Sequence, residues 1–171
     1  MRSDPPGAAP AIVILMGVAG SGKTTIGEKL AAALGWPFRD ADEFHSAANI
    51  AKMTAGLPLN DADRTPWLAS IRAYLEETLA QRRCAVITCS ALRERYRQAL
   101  AGGLTGVAFV HLVGSYDLIR RRLGERAGHF MKADLLESQF ATLEAPQNAL
   151  TIDVAQSPEV IVAEIRTSLH L

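Results

Sequence analysis

The sequence predicts an α/β fold built on a parallel sheet, and three observations carry that expectation. Apolar runs of strand length alternate with helical patterns along the whole chain. The first such pair, a run at Ile12–Met16 and an amphipathic stretch at Ile26–Leu34 closed by Gly35, brackets a glycine-rich turn. No repeat, low-complexity tract or linker divides the 171 residues, so a single domain over 11–171 is expected behind a Pro-rich, disordered tail at 1–10.

In order, the expected strands are 11–16, a short one near 37–39, 85–89, 106–112 and 150–154. The expected helices lie near 23–34, 46–55, 64–81, 92–101, 115–125, 132–144 and 158–169. The helix near 64–81 places Trp67, Leu68, Ile71, Tyr74, Leu75 and Leu79 three and four apart on one face, with Asp61 or Asp63 as its cap and Pro66 in its first turn.

Composition narrows the function classes. Lysine plus arginine and aspartate plus glutamate each total 18, so nothing suggests a non-specific nucleic-acid or anionic-membrane surface. The tail has no signal-peptide pattern and no run reaches transmembrane length, which makes a cytoplasmic location the expectation. Cys84 and Cys89 stand at opposite ends of one extended run, too far apart to bridge, and read as reduced thiols. Cysteine and histidine nowhere take a metal-ligand spacing.

The turn Gly17-Val18-Ala19-Gly20-Ser21-Gly22-Lys23-Thr24 fits G-x-x-x-x-G-K-[ST] between a strand and a helix. Glycines let backbone N–H groups wrap an anion, the helix N-terminus adds its dipole, and Lys23 supplies charge for the outer phosphates. Residues Gly17 to Thr24, with the adjoining Thr25, are therefore candidate contacts for a nucleoside triphosphate, and the Thr24 hydroxyl is a candidate magnesium ligand.

In open α/β sheets ligands bind beyond the carboxyl ends of the strands. After the second strand come Asp40 and Asp42, which alternation would place on one side of an extended segment. One carboxylate can serve magnesium while the other orients a hydroxyl nucleophile; alternatively one caps the next helix, in competition with Ser46. After the third strand, Thr88 and Ser90 can bond to a water on the metal, or Ser90 can cap the helix beginning near Leu92. Arg122 and Arg126 lie four apart in a cationic, glycine-punctuated stretch suited to closing over phosphates, whereas Arg120 and Arg121 read as a solvated face. His45 and His129 sit in candidate loops, as substrate hydrogen-bonding groups or as packed residues.

The stretches Asp40-Ala41-Asp42-x-x-His45, Asn49-Ile50-x-Lys52-Met53-x-x-Gly56-x-Pro58-Leu59-x-Asp61-x-Asp63-Arg64-x-Pro66-Trp67-Leu68, Cys89-Ser90-Ala91-Leu92, Arg126-x-Gly128-His129-Phe130 and Ser138-Gln139-Phe140-x-x-Leu143-Glu144-x-Pro146 resemble the gluconokinases, of the thermoresistant type, among the small-molecule P-loop kinases. The resemblance covers about residues 11–146. It implies a P-loop NTPase fold like that of nucleoside monophosphate kinases: a five-stranded parallel sheet flanked by helices, with a mobile lid at about 122–134. It also implies transfer of the γ-phosphoryl group of ATP, with Mg2+, to the 6-hydroxyl of D-gluconate, by an enzyme that is commonly a homodimer.

A linear polyol with a terminal carboxylate needs a cation at one end and polar groups along its length. His45, Asn49, Lys52, Arg64 and His129 supply them, with Arg64 for the carboxylate, Asp42 at the 6-hydroxyl and Asp40 near magnesium; the two aspartates could exchange roles. Lys23, Asp42 and Arg126 form the expected catalytic set, and Arg122 a further nucleotide contact. Trp67 with Pro66 reads as packing beneath this segment. The chain departs from the family pattern at Arg93, where lysine is usual, and at Ala155, where an acidic residue is common, which bears on the adenine pocket. A shikimate kinase is the alternative, but that family expects a Gly-Gly-Gly segment, and here Gly102-Gly103 ends a helix. A nucleoside monophosphate kinase suits the aspartate pair less well, and the intact motif residues argue against a non-catalytic nucleotide-binding regulator. A GTPase would carry a guanine-reading Asn/Thr-Lys-x-Asp segment, which is absent.

Overall fold

A computed structural model describes residues 9–125 and 133–171. Its strands are β1 (Ile12–Met16), β2 (Phe38–Asp40), β3 (Ala85–Thr88), β4 (Val107–Val113) and β5 (Leu150–Asp153). Its helices are α1 (Lys23–Leu34), α2 (Ala47–Thr54), α3 (Asp61–Ala80), α4 (Glu94–Ala101), α5 (Tyr116–Glu125), α6 (Ala133–Thr142) and α7 (Pro158–Leu169). A short 3-10 helix, Ala41–Phe44, links β2 to α2.

The strands form one parallel sheet in the order β2, β3, β1, β4, β5. β1 is central, and each of its residues has 0% exposure, which is what a continuous apolar run demands of a strand covered on both faces. Alternation divides its side chains between two cores. Val13 and Leu15 pack with Ile26 and Leu30 of α1 and Ile161 and Ile165 of α7. Ile12, Ile14 and Met16 pack with Leu68, Ile71 and Leu75 of α3 and Leu100 of α4. Burying such a side chain stabilises the fold by roughly 1.5–3 kcal/mol, so β1 is the most strongly anchored element of the sheet.

All the expected strands and helices form, with ends displaced by a few residues, and the displacements have local causes. α3 begins at Asp61 because Asn60 is its cap: the Asn60 side chain accepts from the Asp63 N–H at 2.9 Å, and the Asp63 carboxylate accepts from the Asn60 N–H at 3.0 Å. Neither Asp61 nor Asp63 is thus the cap, and Pro66 stands inside the helix, beyond its first turn. α4 begins at Glu94, and Ser90 does not cap it; the Glu94 N–H donates instead to Glu144 Oε2 at 2.7 Å, from the far side of α6 in sequence. Cys84 and Cys89 are both free thiols, and burial pushes that of Cys89 up to about 12. None of the described helices is long and apolar enough to cross a membrane.

Candidate active site

The glycine turn leaves the carboxyl end of β1 and enters α1 through Gly22, whose left-handed φ of +93° no β-carbon would favour. The turn is also confined. A β-carbon on Gly17 would lie 2.7 Å from the Leu112 carbonyl oxygen, and one on Gly20 would lie 2.6 Å from Leu123 Cγ of α5. The Lys23 ammonium donates to the carbonyls of Gly17 and Val18, both at 3.0 Å, so its charge is held against the loop. Thr24 and Thr25 are exposed on the first turn of α1, while the Ser21 hydroxyl is buried with no partner among the described residues. A positive helix end, a glycine-lined turn and an ammonium together make an anion site.

The expected acceptor side lies two strands away, after β2. Register places Asp40 beside Thr88 and Thr88 beside Leu15, so the aspartates leave the same edge of the sheet as the glycine turn. They are not in an extended segment, as alternation had suggested. Asp40 caps the 3-10 helix, its Oδ1 accepting from the Asp42 N–H at 2.9 Å, and Ser46 caps α2 by accepting from the Asn49 N–H at 3.1 Å. The turn carries Asp42 forward into solvent, with 83% of its side chain accessible. Surrounding protein first, and then the like charge of Asp40, raise the Asp42 carboxyl above the usual 3.8, while His45 and Lys23 draw it down.

Behind Asp42 the structure rearranges two expected substrate groups. Only 4% of the His45 side chain is accessible, and its ring stacks on Trp67 with centroids 4.4 Å apart. Asn49 is buried as well, its Nδ2 donating to the Asp63 carbonyl at 2.9 Å and lying 3.3 Å from His45 Nδ1. Both side chains are therefore turned into the protein and not out to solvent. Lys52 donates twice to the Asp63 carboxylate, at 2.7 and 2.9 Å, and this pairing first, then the Asn60 N–H, holds Asp63 below the usual 3.8. Arg64 lies against Tyr96, with Nη1 3.4 Å from the phenol oxygen and its guanidinium carbon 5.6 Å from the ring centroid. The charges are coupled: Lys23 acts on Asp42, and both Asp42 and Arg64 act on His45.

Arg122 reaches the carbonyl of Val154 at 2.6 Å, bracing the segment that follows β5. Arg126, His129 and most of the expected lid at 122–134 lie outside the described residues. Two residues without an expected role enter the site: Tyr96, which positions Arg64, and Gln139, whose Oε1 accepts from the Ala19 N–H at 2.7 Å and ties α6 to the glycine turn. Their partners are distant in sequence, and no local pattern announces them.

A family model described as shikimate kinase matches residues 19–169. The gluconokinase of Gluconobacter oxydans is 43% identical, over 93% of this chain and 91% of its own. The thermoresistant gluconokinase of Escherichia coli is 40% identical, over 89% of each chain. The chain belongs to the gluconokinase family, within the shikimate-kinase group of P-loop kinases. A crystal structure of a gluconokinase from Sinorhizobium meliloti superimposes with a TM-score of 0.82 at 43% identity, covering 94% of this chain and 92% of that one. The gluconokinase resemblance of the 40–68 segment thus coincides with a structural unit: the 3-10 helix, α2 and the start of α3, gathered around Asp42.

Proposed function

We propose that this chain is a gluconokinase, transferring the γ-phosphoryl group of ATP to the 6-hydroxyl of D-gluconate to give 6-phospho-D-gluconate and ADP. The observation that carries the reading is that Asp42 lies within electrostatic reach of the Lys23 ammonium, just beyond the sheet edge from which the glycine turn departs. A carboxylate near the phosphate-side ammonium and a guanidinium acting on the neighbouring His45 suit an acceptor with its reacting alcohol at one end and its carboxylate at the other.

In this reading Arg64, held by Tyr96, pairs with the gluconate carboxylate, and Lys52 offers the third N–H that its pairing with Asp63 does not use. Asp42 accepts the proton of the 6-hydroxyl. The alcohol oxygen bonds to the γ-phosphorus as the bond from that phosphorus to the bridging oxygen breaks, and the electron pair leaves on ADP. A raised carboxyl is a stronger base toward the hydroxyl proton than an unperturbed one. Lys23 and the loop N–H groups stabilise the charge on the transferred group, joined by Arg122 and Arg126. The residues also fit a magnesium ion accompanying ATP: the Thr24 hydroxyl and Asp40 are hard oxygen donors, and the buried Thr88 hydroxyl, which has no partner among the described residues, stands at the same edge. Such an ion would neutralise phosphate charge and fix the phosphate geometry. A cytoplasmic homodimer completes the reading, with sedimentation as the test of its size.

A coupled ADP-release assay with gluconate, shikimate and AMP as acceptors tests the proposal. Turnover is expected with gluconate alone. Shikimate kinase is the second reading, favoured by the family-model match, and efficient turnover of shikimate would replace the first by it.

A further inference from the structure

The arrangement behind Asp42 determines where a proton sits on His45. The Asp63 carbonyl can only accept, so the Asn49 group 2.9 Å from it is the NH2 and the amide orientation is fixed. The same NH2 lies 3.3 Å from His45 Nδ1. An amide NH2 has no lone pair to offer, so Nδ1 must be the accepting nitrogen and the ring proton must be on Nε2. Nε2 lies 3.8 Å from Asp42 Oδ1, just beyond hydrogen-bond reach of a side chain free to rotate in solvent. Trp67 fixes the plane of the ring by stacking, and its Nε1 donates at 2.8 Å to the carbonyl of Ala41, in the turn that carries Asp42. Base, imidazole and amide are thereby held as one unit.

We propose that His45 and Asn49 are positioning residues for Asp42: the buried amide locks His45 as the neutral Nε2–H tautomer, which donates a hydrogen bond to the Asp42 carboxylate and aims its other oxygen at the acceptor hydroxyl. No proton moves along the relay; the hydroxyl proton goes to Asp42, and His45 keeps its own. Burial first, and then the charge of Arg64, keep the imidazole less basic than usual despite Asp42, in keeping with a neutral ring. Apo geometries of this kind are often long and tighten when substrate arrives. The inference rests on Asp42 being the base.

The first test is activity-independent: nitrogen-15 NMR of histidine-labelled protein at neutral pH, with the His45 signals identified by their loss in His45→Phe. The Nε2–H tautomer is expected for His45; an Nδ1–H tautomer or an imidazolium overturns the relay. The second test is kinetic. His45→Phe keeps a ring on Trp67 but removes the donor, and about a 10–100-fold fall in kcat is expected, with KM for gluconate within about twofold. His45→Gln, whose amide can donate from the Nε2 position, should recover part of that loss. Parent-like kcat in His45→Phe would leave His45 a packing residue, and a raised KM with unchanged kcat would make it a substrate ligand; either overturns the proposal. Should His45→Phe fold poorly, Asn49→Asp, which forces Nδ1 to carry a proton, should lower kcat similarly, and parent-like kcat there overturns the lock. Asp42→Asn run in parallel separates the premises: if it keeps full kcat, the base assignment fails, whatever tautomer the spectra report.

Discussion

On the nucleotide side, the glycine turn hangs between a strand with no solvent exposure and a twelve-residue helix that covers the sheet. On the acceptor side, the residues from Asp40 to Arg64 ride on a 3-10 helix, an eight-residue helix and the first turn of α3. One half is held by apolar burial and presents backbone groups; the other is held by side-chain hydrogen bonds and ion pairs, with Ile50, Met53 and Leu57 left exposed around it. A backbone cradle recognises what all nucleoside triphosphates share. A cluster of polar side chains on short elements suits the recognition of one acceptor, and it can change without disturbing the sheet.

Substitutions can break or sharpen this contrast. The largest effect is expected from Lys23→Ala, which removes the loop ammonium: kcat should fall by about 1000-fold or more with the circular dichroism spectrum unchanged. Asp42→Asn follows, with kcat lower by about 100-fold or more and KM for gluconate nearly constant. It should melt no lower than the parent, since the fold raises this carboxyl and so disfavours its charge. Arg64→Ala should act on KM, raising it about 10-fold or more for gluconate and leaving that for ATP alone; an unchanged gluconate KM would remove Arg64 from the carboxylate role. Tyr96→Phe, which keeps the ring but removes the phenol contacts to Arg64 and Asp61, should give a smaller rise in the same constant.

The polar stitching of the acceptor half has its own signature. Asn60→Ala deletes the cap of α3 and should cost about 1 kcal/mol in thermal or denaturant unfolding. Asp63→Asn should also destabilise, in a pH-dependent way. The folded carboxyl is held below 3.8, so its contribution is complete above the unfolded value and lost as pH falls through the folded one. The melting gap between parent and variant should therefore close in acid, and a gap that persists there would assign the loss to packing.

The sequence announced the nucleotide half because a phosphate cradle needs glycine at set spacings next to a strand and a helix. It also announced the middle of the sheet, since β1 and β3, its fully buried strands, are short and largely apolar runs. In the acceptor half it supplied the residue types without their arrangement. Alternation assumed an extended Asp40–Asp42 segment, but the Asp40 side chain satisfies the Asp42 N–H and starts a turn. Histidine and asparagine look alike in sequence whether they meet a sugar or each other, and only the fold buries His45 against Trp67. The bond from Gln139 to the glycine turn joins residues 120 positions apart, beyond any local pattern.

Glu144 carries a mechanical consequence. Its side chain caps α4, its carbonyl receives Arg97 Nη2 at 2.9 Å, and its N–H donates to Leu92 at 2.8 Å. The chain just after α6 is thus clamped on three sides to the body of the protein. Any swing of α6 on loading the nucleotide must pivot upstream of this clamp, which would keep β5 and the expected adenine pocket steady while the phosphate end rearranges.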